Sequence, residues 1–137
     1  STASESAECP PPPDRSRGYV WGVLQSYELY EVSAQGSTPR RLTQNTAYDA
    51  EATWCHRGGK LVFTSDRDGD LDIYEMDEAG NVKRLTREAG YDGGAVYSPD
   101  CSEIAHVLLG RDPGFATGPN DGGTFLPYLR DERLARP

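Results

Sequence analysis

The chain has 137 residues, a formal net charge of −8 and a sequence pI near 4.7. That acidity excludes the basic footprint expected of a nucleic-acid binder and the polybasic patch that holds proteins on anionic lipid. The length suits one domain, and no apolar run approaches the roughly 18 residues of a spanning helix.

Residues Ser1–Arg17 read as an extended arm, because Pro10-Pro11-Pro12-Pro13 favours polyproline II. No signal peptide is visible, and Ser1-Thr2-Ala3-Ser4-Glu5 reads as the start of a mature or trimmed chain. Gly18–Leu24 and Glu28–Ser33 are the first predicted strands, with Tyr19, Trp21 and Val23 alternating against Val20, Gly22 and Leu24. Pro39–Leu42 follows as an edge candidate, since Pro39 cannot donate to a ladder. Asp49–Trp54, Leu61–Ser65, Leu71–Met76 and Val82–Leu85 are next, separated by Gly58-Gly59, Asp68-Gly69 and Gly80-Asn81. Gly93–Tyr97 and Glu103–Leu109 close the series. The fold class is therefore all-β, built of antiparallel meanders, with a blade region over 18–109. Gly110–Pro137 leaves the pattern as an irregular extension rich in turn residues, in which Pro127–Ala135 could form a short helix.

The strands repeat. Glu28-Leu29-Tyr30-Glu31-Val32 and Gly36 match Asp72-Ile73-Tyr74-Glu75-Met76 and Gly80 at a shift of 44. Arg41-Leu42-Thr43, Tyr48-Asp49, Ala52, Trp54 and Leu61 match Arg84-Leu85-Thr86, Tyr91-Asp92, Ala95, Tyr97 and Ile104 at a shift of 43. A period of roughly 40–45 residues carrying four short strands is that of a propeller blade.

Tyr97-Ser98-Pro99-Asp100, Ser65-Asp66-Arg67-Asp68-Gly69, Asp72-Ile73-Tyr74, Gly80 and Leu85-Thr86 resemble the TolB-like propeller repeat. The resemblance is specific over Lys60–Asp100 and weaker over Tyr19–Gly59. Two positions depart from it: Trp54-Cys55-His56-Arg57-Gly58 replaces the Ser-Pro-Asp-Gly turn, and Cys101 stands at a glycine position. Aligned this way, the middle blade is complete, the first lacks its opening strand and the last lacks its closing two. A partial propeller of this kind should leave apolar faces and strand edges for something else to cover.

Other constellations are weak. Asp66, Asp68, Asp70 and Asp72 invite a calcium reading, but Leu71 and Asp77 occupy the positions where an EF-hand loop needs Gly and Glu. They read instead as turn caps. Cys55-His56 and the Cys101/His106 pair have zinc-ligand types without zinc spacing, since adjacent strand residues face opposite ways. No Gly-x-Ser-x-Gly, His-Glu-x-x-His or phosphate-binding loop occurs. No catalytic, cofactor-binding or metal residue is predicted. Cys9, Cys55 and Cys101 are candidate disulfide partners. Pairing needs Cα atoms within about 7 Å, which sequence cannot rank, although the reach of the arm favours Cys9 with Cys55 or Cys101. Trp21, Tyr30, Trp54, Phe63, Tyr74 and Tyr97 read as inter-sheet core. Tyr27, Tyr48 and Tyr91, at turns, read as interface anchors, with Phe115, Phe125, Leu126, Tyr128 and Leu129 of the tail.

The resemblance implies an exported, often periplasmic, protein-binding module. The expected role is a non-catalytic scaffold or accessory subunit that meets other proteins of a larger membrane assembly, its fold completed by a partner. The alternative is a homo-oligomer that closes its own propeller around a small ligand, sugar or cation.

Overall fold

The computed structural model describes residues 2–4, 27–110 and 128–133, with side chains described over 27–108. Its strands are β1 (Thr2–Ser4), β2 (Tyr27–Glu31), β3 (Arg40–Arg41), β4 (Asp49–Cys55), β5 (Lys60–Ser65), β6 (Asp72–Asp77), β7 (Val82–Arg84), β8 (Gly90–Tyr97), β9 (Glu103–Gly110) and β10 (Tyr128–Arg133). They form three antiparallel sheets, ordered β1-β2-β3, β4-β5-β6-β7 and β10-β9-β8. The four-stranded sheet lies between the other two.

Period-two alternation places the core on both faces of that middle sheet. Leu61, Phe63, Tyr74 and Met76 pack against Leu29 of the first sheet, with Leu42 and Ala52 beside them. Val62 and Ile73, one position out of phase, pack against Ala95 and Ile104 of the third sheet, with Leu85 and Tyr97. Phe63 and Tyr74 are buried as expected, and Tyr30 and Tyr97 are half-buried. Trp54 departs from the core reading at 42 % exposed. It shares a face with Leu61, its partner across the ladder, and the strands of the first sheet, of two to five residues, are too short to cover it. Trp21 lies outside the described residues.

The repeated motif has a physical cause. Glu28 is fully buried and accepts from the Arg41 Nη2 at 2.8 Å. The Arg41 Nε donates to the Thr43 carbonyl, and the Thr43 hydroxyl accepts from the Leu29 N–H. One unit later Asp72, also fully buried, pairs with Arg84, the Arg84 Nε donates to the Thr86 carbonyl, and Thr86 Oγ1 accepts from the Ile73 N–H. The Arg-Leu-Thr segment is thus a clasp. Its Arg neutralises a buried carboxylate, its Leu N–H bonds a carbonyl of the partner strand (Leu42 to Leu29, Leu85 to Ile73), and its Thr takes the N–H of that same partner residue. Burial, with a smaller push from the Asp70 charge, raises the Asp72 carboxyl above its usual range, opposed by Arg84 and the Thr86 hydroxyl.

The four aspartates of the β5–β6 turn are spent on the fold. Asp66 Oδ1 accepts from the Tyr48 N–H, Asp70 accepts from the Leu71 and Gly90 N–H groups, Asp68 accepts from the Tyr74 hydroxyl, and Asp72 sits in the clasp. Among the described residues no cluster of three or more His, Cys, Asp or Glu side chains is arranged to hold a metal.

Three readings change. Cys55 is bonded to Cys101, with Cα atoms 5.8 Å apart, so neither is held by the arm. The two cysteines sit at the ends of neighbouring inner strands, β4 and the β8–β9 turn, which the stacking of the sheets brings together. Cys9 lies outside the described residues. The short helix expected in Pro127–Ala135 is replaced by the strand β10, which pairs along β9 from Tyr128↔Leu108 to Arg133↔Glu103. An open edge of β9 offers unpaired backbone groups that a strand satisfies and a helix does not. The neighbour of β2 is Thr2–Ser4 of the arm, in register Thr2↔Leu29 to Ser4↔Tyr27; the expected strand Gly18–Leu24 lies outside the described residues.

The disulfide closes a loop with a sequence separation of 46. Cys55→Ser with Cys101→Ser is expected to lower unfolding free energy by about 2–4 kcal/mol, read from urea midpoints. The clasp predicts a contrast between two arginines. Arg84→Ala strands a buried carboxylate and should cost about 3 kcal/mol. Arg40→Ala, which removes the solvent-exposed pair with Glu31, should cost less than about 1 kcal/mol.

Candidate functional site

Polar side chains collect where the inner strands β4 and β8 meet. Both strands carry the same β-bulge, between Ala50 and Thr53 and between Gly93 and Val96. At the bulge the chain enters the left-handed region, with φ of 55° at Glu51 and 62° at Gly94. Gly94 adopts this freely, whereas Glu51 is strained. The Glu51 carboxylate offsets the strain by tying the two sheets. It accepts from the Thr64 hydroxyl at 2.8 Å, the Tyr91 hydroxyl at 2.9 Å and the Gly94 N–H at 2.9 Å. Burial, then the Glu51 charge, pushes the Tyr91 phenol well above its ordinary value.

Beside this seam each unit buries an aspartate, and the two differ. Asp49 is fully buried and satisfied, with Arg67 Nη2 at 2.9 Å on one oxygen and Asn45 Nδ2 at 2.7 Å on the other. The Arg67 guanidinium lies over Phe63 and Tyr74, 5.1 and 4.8 Å from their ring centres. Asp92 is equally buried, but both its carboxylate oxygens lack a hydrogen bond among the described residues. Its nearest ionisable neighbour is His106, whose Nδ1 is 3.7 Å away, too long for a hydrogen bond. His106 is 5 % exposed, and neither of its ring nitrogens is hydrogen-bonded among the described residues. Desolvation pushes the Asp92 carboxyl up to about 6, helped by Asp72 and Asp70 and opposed by Thr86 and His106. The Thr86 hydroxyl is committed to Asp72 at 3.2 Å, so it does not satisfy Asp92. Asp92 and His106 line a cavity of about 200 Å³ with Leu85, Thr86, Arg87, Glu88 and Leu108. Among the described residues no free hydroxyl or thiol stands beside the pair: the Thr86 Oγ1 is held by Ile73 and Asp72. The arrangement is suited to binding a charged group rather than to nucleophilic attack.

The tyrosines read as interface anchors turn inward instead. Tyr48 is buried, Tyr27 stacks on it with ring centres 5.8 Å apart, and Tyr91 is half-buried with its hydroxyl on Glu51. Tyr128 and Leu129 lie on β10. Phe115, Phe125 and Leu126 lie outside the described residues. The apolar surface that does face outward was not foreseen. On β8 and β9, Val96 (48 % exposed), Ala105 and Val107 share the face turned away from the middle sheet, and Val32 is 51 % exposed beyond β2. Glu51 and the Asp92–His106 pair also escaped the sequence reading. The shift of 43 residues contains the signal: it places Asp92 on Asp49, His106 on Phe63 and Gly94 on Glu51.

Stacked antiparallel meanders, the first two sharing the clasp and the last two the inner-strand bulge, define consecutive blades of a β-propeller. The family model of the TolB beta propeller domain matches residues 21–115, and the chain belongs to that family. Two solved structures share the fold. TolB from Acinetobacter baumannii is 33 % identical with a TM-score of 0.56, over 61 % of this chain and 21 % of that one. A putative TolB from Agrobacterium tumefaciens is 22 % identical with a TM-score of 0.58, over 64 % of this chain and 32 % of that one. The chain therefore matches only a fifth to a third of the length of these relatives.

Asp92 gives a pH test. Its folded value lies above the unfolded one, so its contribution to stability is full below about pH 4 and is lost as pH rises to about 6. The stability of the native chain minus that of an Asp92→Asn variant should fall by about 1–3 kcal/mol from pH 4 to pH 7, read from paired denaturant titrations.

Proposed function

We propose that this chain is a non-catalytic, protein-binding propeller module, exported to the periplasm or cell exterior, that serves as a scaffold or accessory subunit of a membrane-associated assembly. One observation carries the reading. The third sheet turns Val96, Ala105 and Val107 away from the core, and no further sheet covers them among the described residues. In a stack of blades such a face belongs against another blade or another protein. Membership of the TolB propeller family supports a binding role and an exported location. The family's share of length is consistent with a fold finished by further protein. The disulfide suits an oxidising compartment. The acidic net charge suits a basic or mixed partner surface.

The arms contribute at the edges. β1 and β10 pair with the first and third sheets.

Native mass in mild detergent tests the proposal. The chain is expected to run with other polypeptides in a large particle; a small homo-oligomer would instead favour a self-closed propeller with a ligand in its channel. A stable lone chain whose Val96 face is solvent-exposed would overturn the scaffold reading. Val96→Asp puts a charge on that face without entering the core. It should weaken retention in the assembly by at least about tenfold while leaving the far-ultraviolet circular dichroism unchanged.

A further inference from the structure

We propose that the Asp92–His106 pocket is a binding site for the guanidinium group of an arginine side chain. The inference is independent of whether another protein completes the propeller. It rests on comparison of the two units within this chain.

Asp92 is fully buried and His106 is 5 % exposed, and none of their four side-chain polar atoms has a hydrogen bond among the described residues. Both line the cavity of about 200 Å³ between the β7–β8 connection and the third sheet. A buried carboxylate without donors is costly, and native proteins meet that cost with a partner. The preceding unit displays the kind of partner. There the equivalent carboxylate, Asp49, receives Arg67, whose guanidinium carbon sits 4.8 Å from the Tyr74 ring centre and 5.1 Å from that of Phe63.

The pocket keeps the carboxylate and one flat ring of that site and, among the described residues, lacks its donors and the second ring, Tyr74. Asp92 replaces Asp49, and the flat ring of His106 replaces Phe63, at the same shift of 43. Asn45, the second donor to Asp49, has Glu88 as its counterpart, which offers no N–H and instead adds negative charge at the exposed rim. Arg87, also exposed, partly offsets it. A guanidinium supplies several N–H donors in one plane, enough for both Asp92 oxygens while lying on the imidazole face. An ammonium brings charge but no plane to stack. An anion would meet the Asp92 carboxylate, and a transition metal would find no third ligand among the described residues.

Two arginine sources share this chemistry. One is a residue of a docked protein. The other is Arg111, which follows Arg67 by 44 positions, the offset that separates Glu28 from Asp72. Nuclear magnetic resonance of histidine-labelled protein separates them, with N-acetyl-arginine methylamide as the probe and His56 as the internal control. A saturable shift of the His106 ring signals in the native chain, at least about tenfold weaker in Asp92→Asn and absent with the lysine analogue, supports an external arginine. A silent native chain overturns the proposal, and a responding Arg111→Ala variant would then show that the pocket is filled from within. Silence in both, with Arg111→Ala folded by its amide spectrum, overturns the proposal.

Discussion

Of the four fully buried carboxylates among the described residues, Glu28, Asp49 and Asp72 are each reached by a guanidinium, and those three pairs organise the chain. Glu28 with Arg41, Asp72 with Arg84 and Asp49 with Arg67 are three solutions of the same problem. Each pair ties one strand to a later segment, and each Arg also donates its Nε–H to a carbonyl or hydroxyl two residues away. The ion pairs contribute less through their Coulomb energy than through the penalty for any arrangement that separates them. Strand order and register are specified accordingly. A slip of one residue along β6 would move Asp72 off Arg84 and put Ile73 on the wrong face.

The apolar core follows from that framework. Once β5 and β6 are registered, Leu61, Phe63, Tyr74 and Met76 can only face the first sheet, and Val62 and Ile73 only the third. Two further ties hold the third sheet to the middle one. Glu51 crosses at the bulges, accepting from Tyr91 and Gly94, and the Cys55–Cys101 bond joins the far ends of the same inner strands. Cys101 adopts a φ of 62° where the repeat calls for glycine, so the covalent tie is made at a backbone position that ordinary side chains disfavour.

The second and third units diverge at the position that bears on function. Replacement of Phe63 by His106 and of Asn45 by Glu88 turns a closed structural pair into an unpaired acid–base couple facing a cavity. The third sheet thus combines a polar cavity on its inner side with Val96, Ala105 and Val107 on its outer side. Among the described residues neither feature places a nucleophile beside a base.

Residues 27–110 declared their fold in the sequence, because alternation such as Leu61-Val62-Phe63 and turns such as Asp68-Gly69 are local properties. The repeat, the blade class and the family resemblance were legible for the same reason: Asp72-Ile73-Tyr74 and Arg84-Leu85-Thr86 recur as strings. Which residues are partners was not, since partnership depends on distances between strands from different units. Spacing could not say that Cys55 meets Cys101, that Tyr48 is buried under Tyr27, or that Tyr128–Arg133 becomes a strand along β9. Nor could it show that Asp49 is satisfied and Asp92 is not, because the same Tyr-Asp string precedes both. Local pattern determined the strands and their repetition; the stacking of the sheets decided burial, pairing and the unpaired Asp92–His106 site, because desolvation is a property of the assembled neighbourhood.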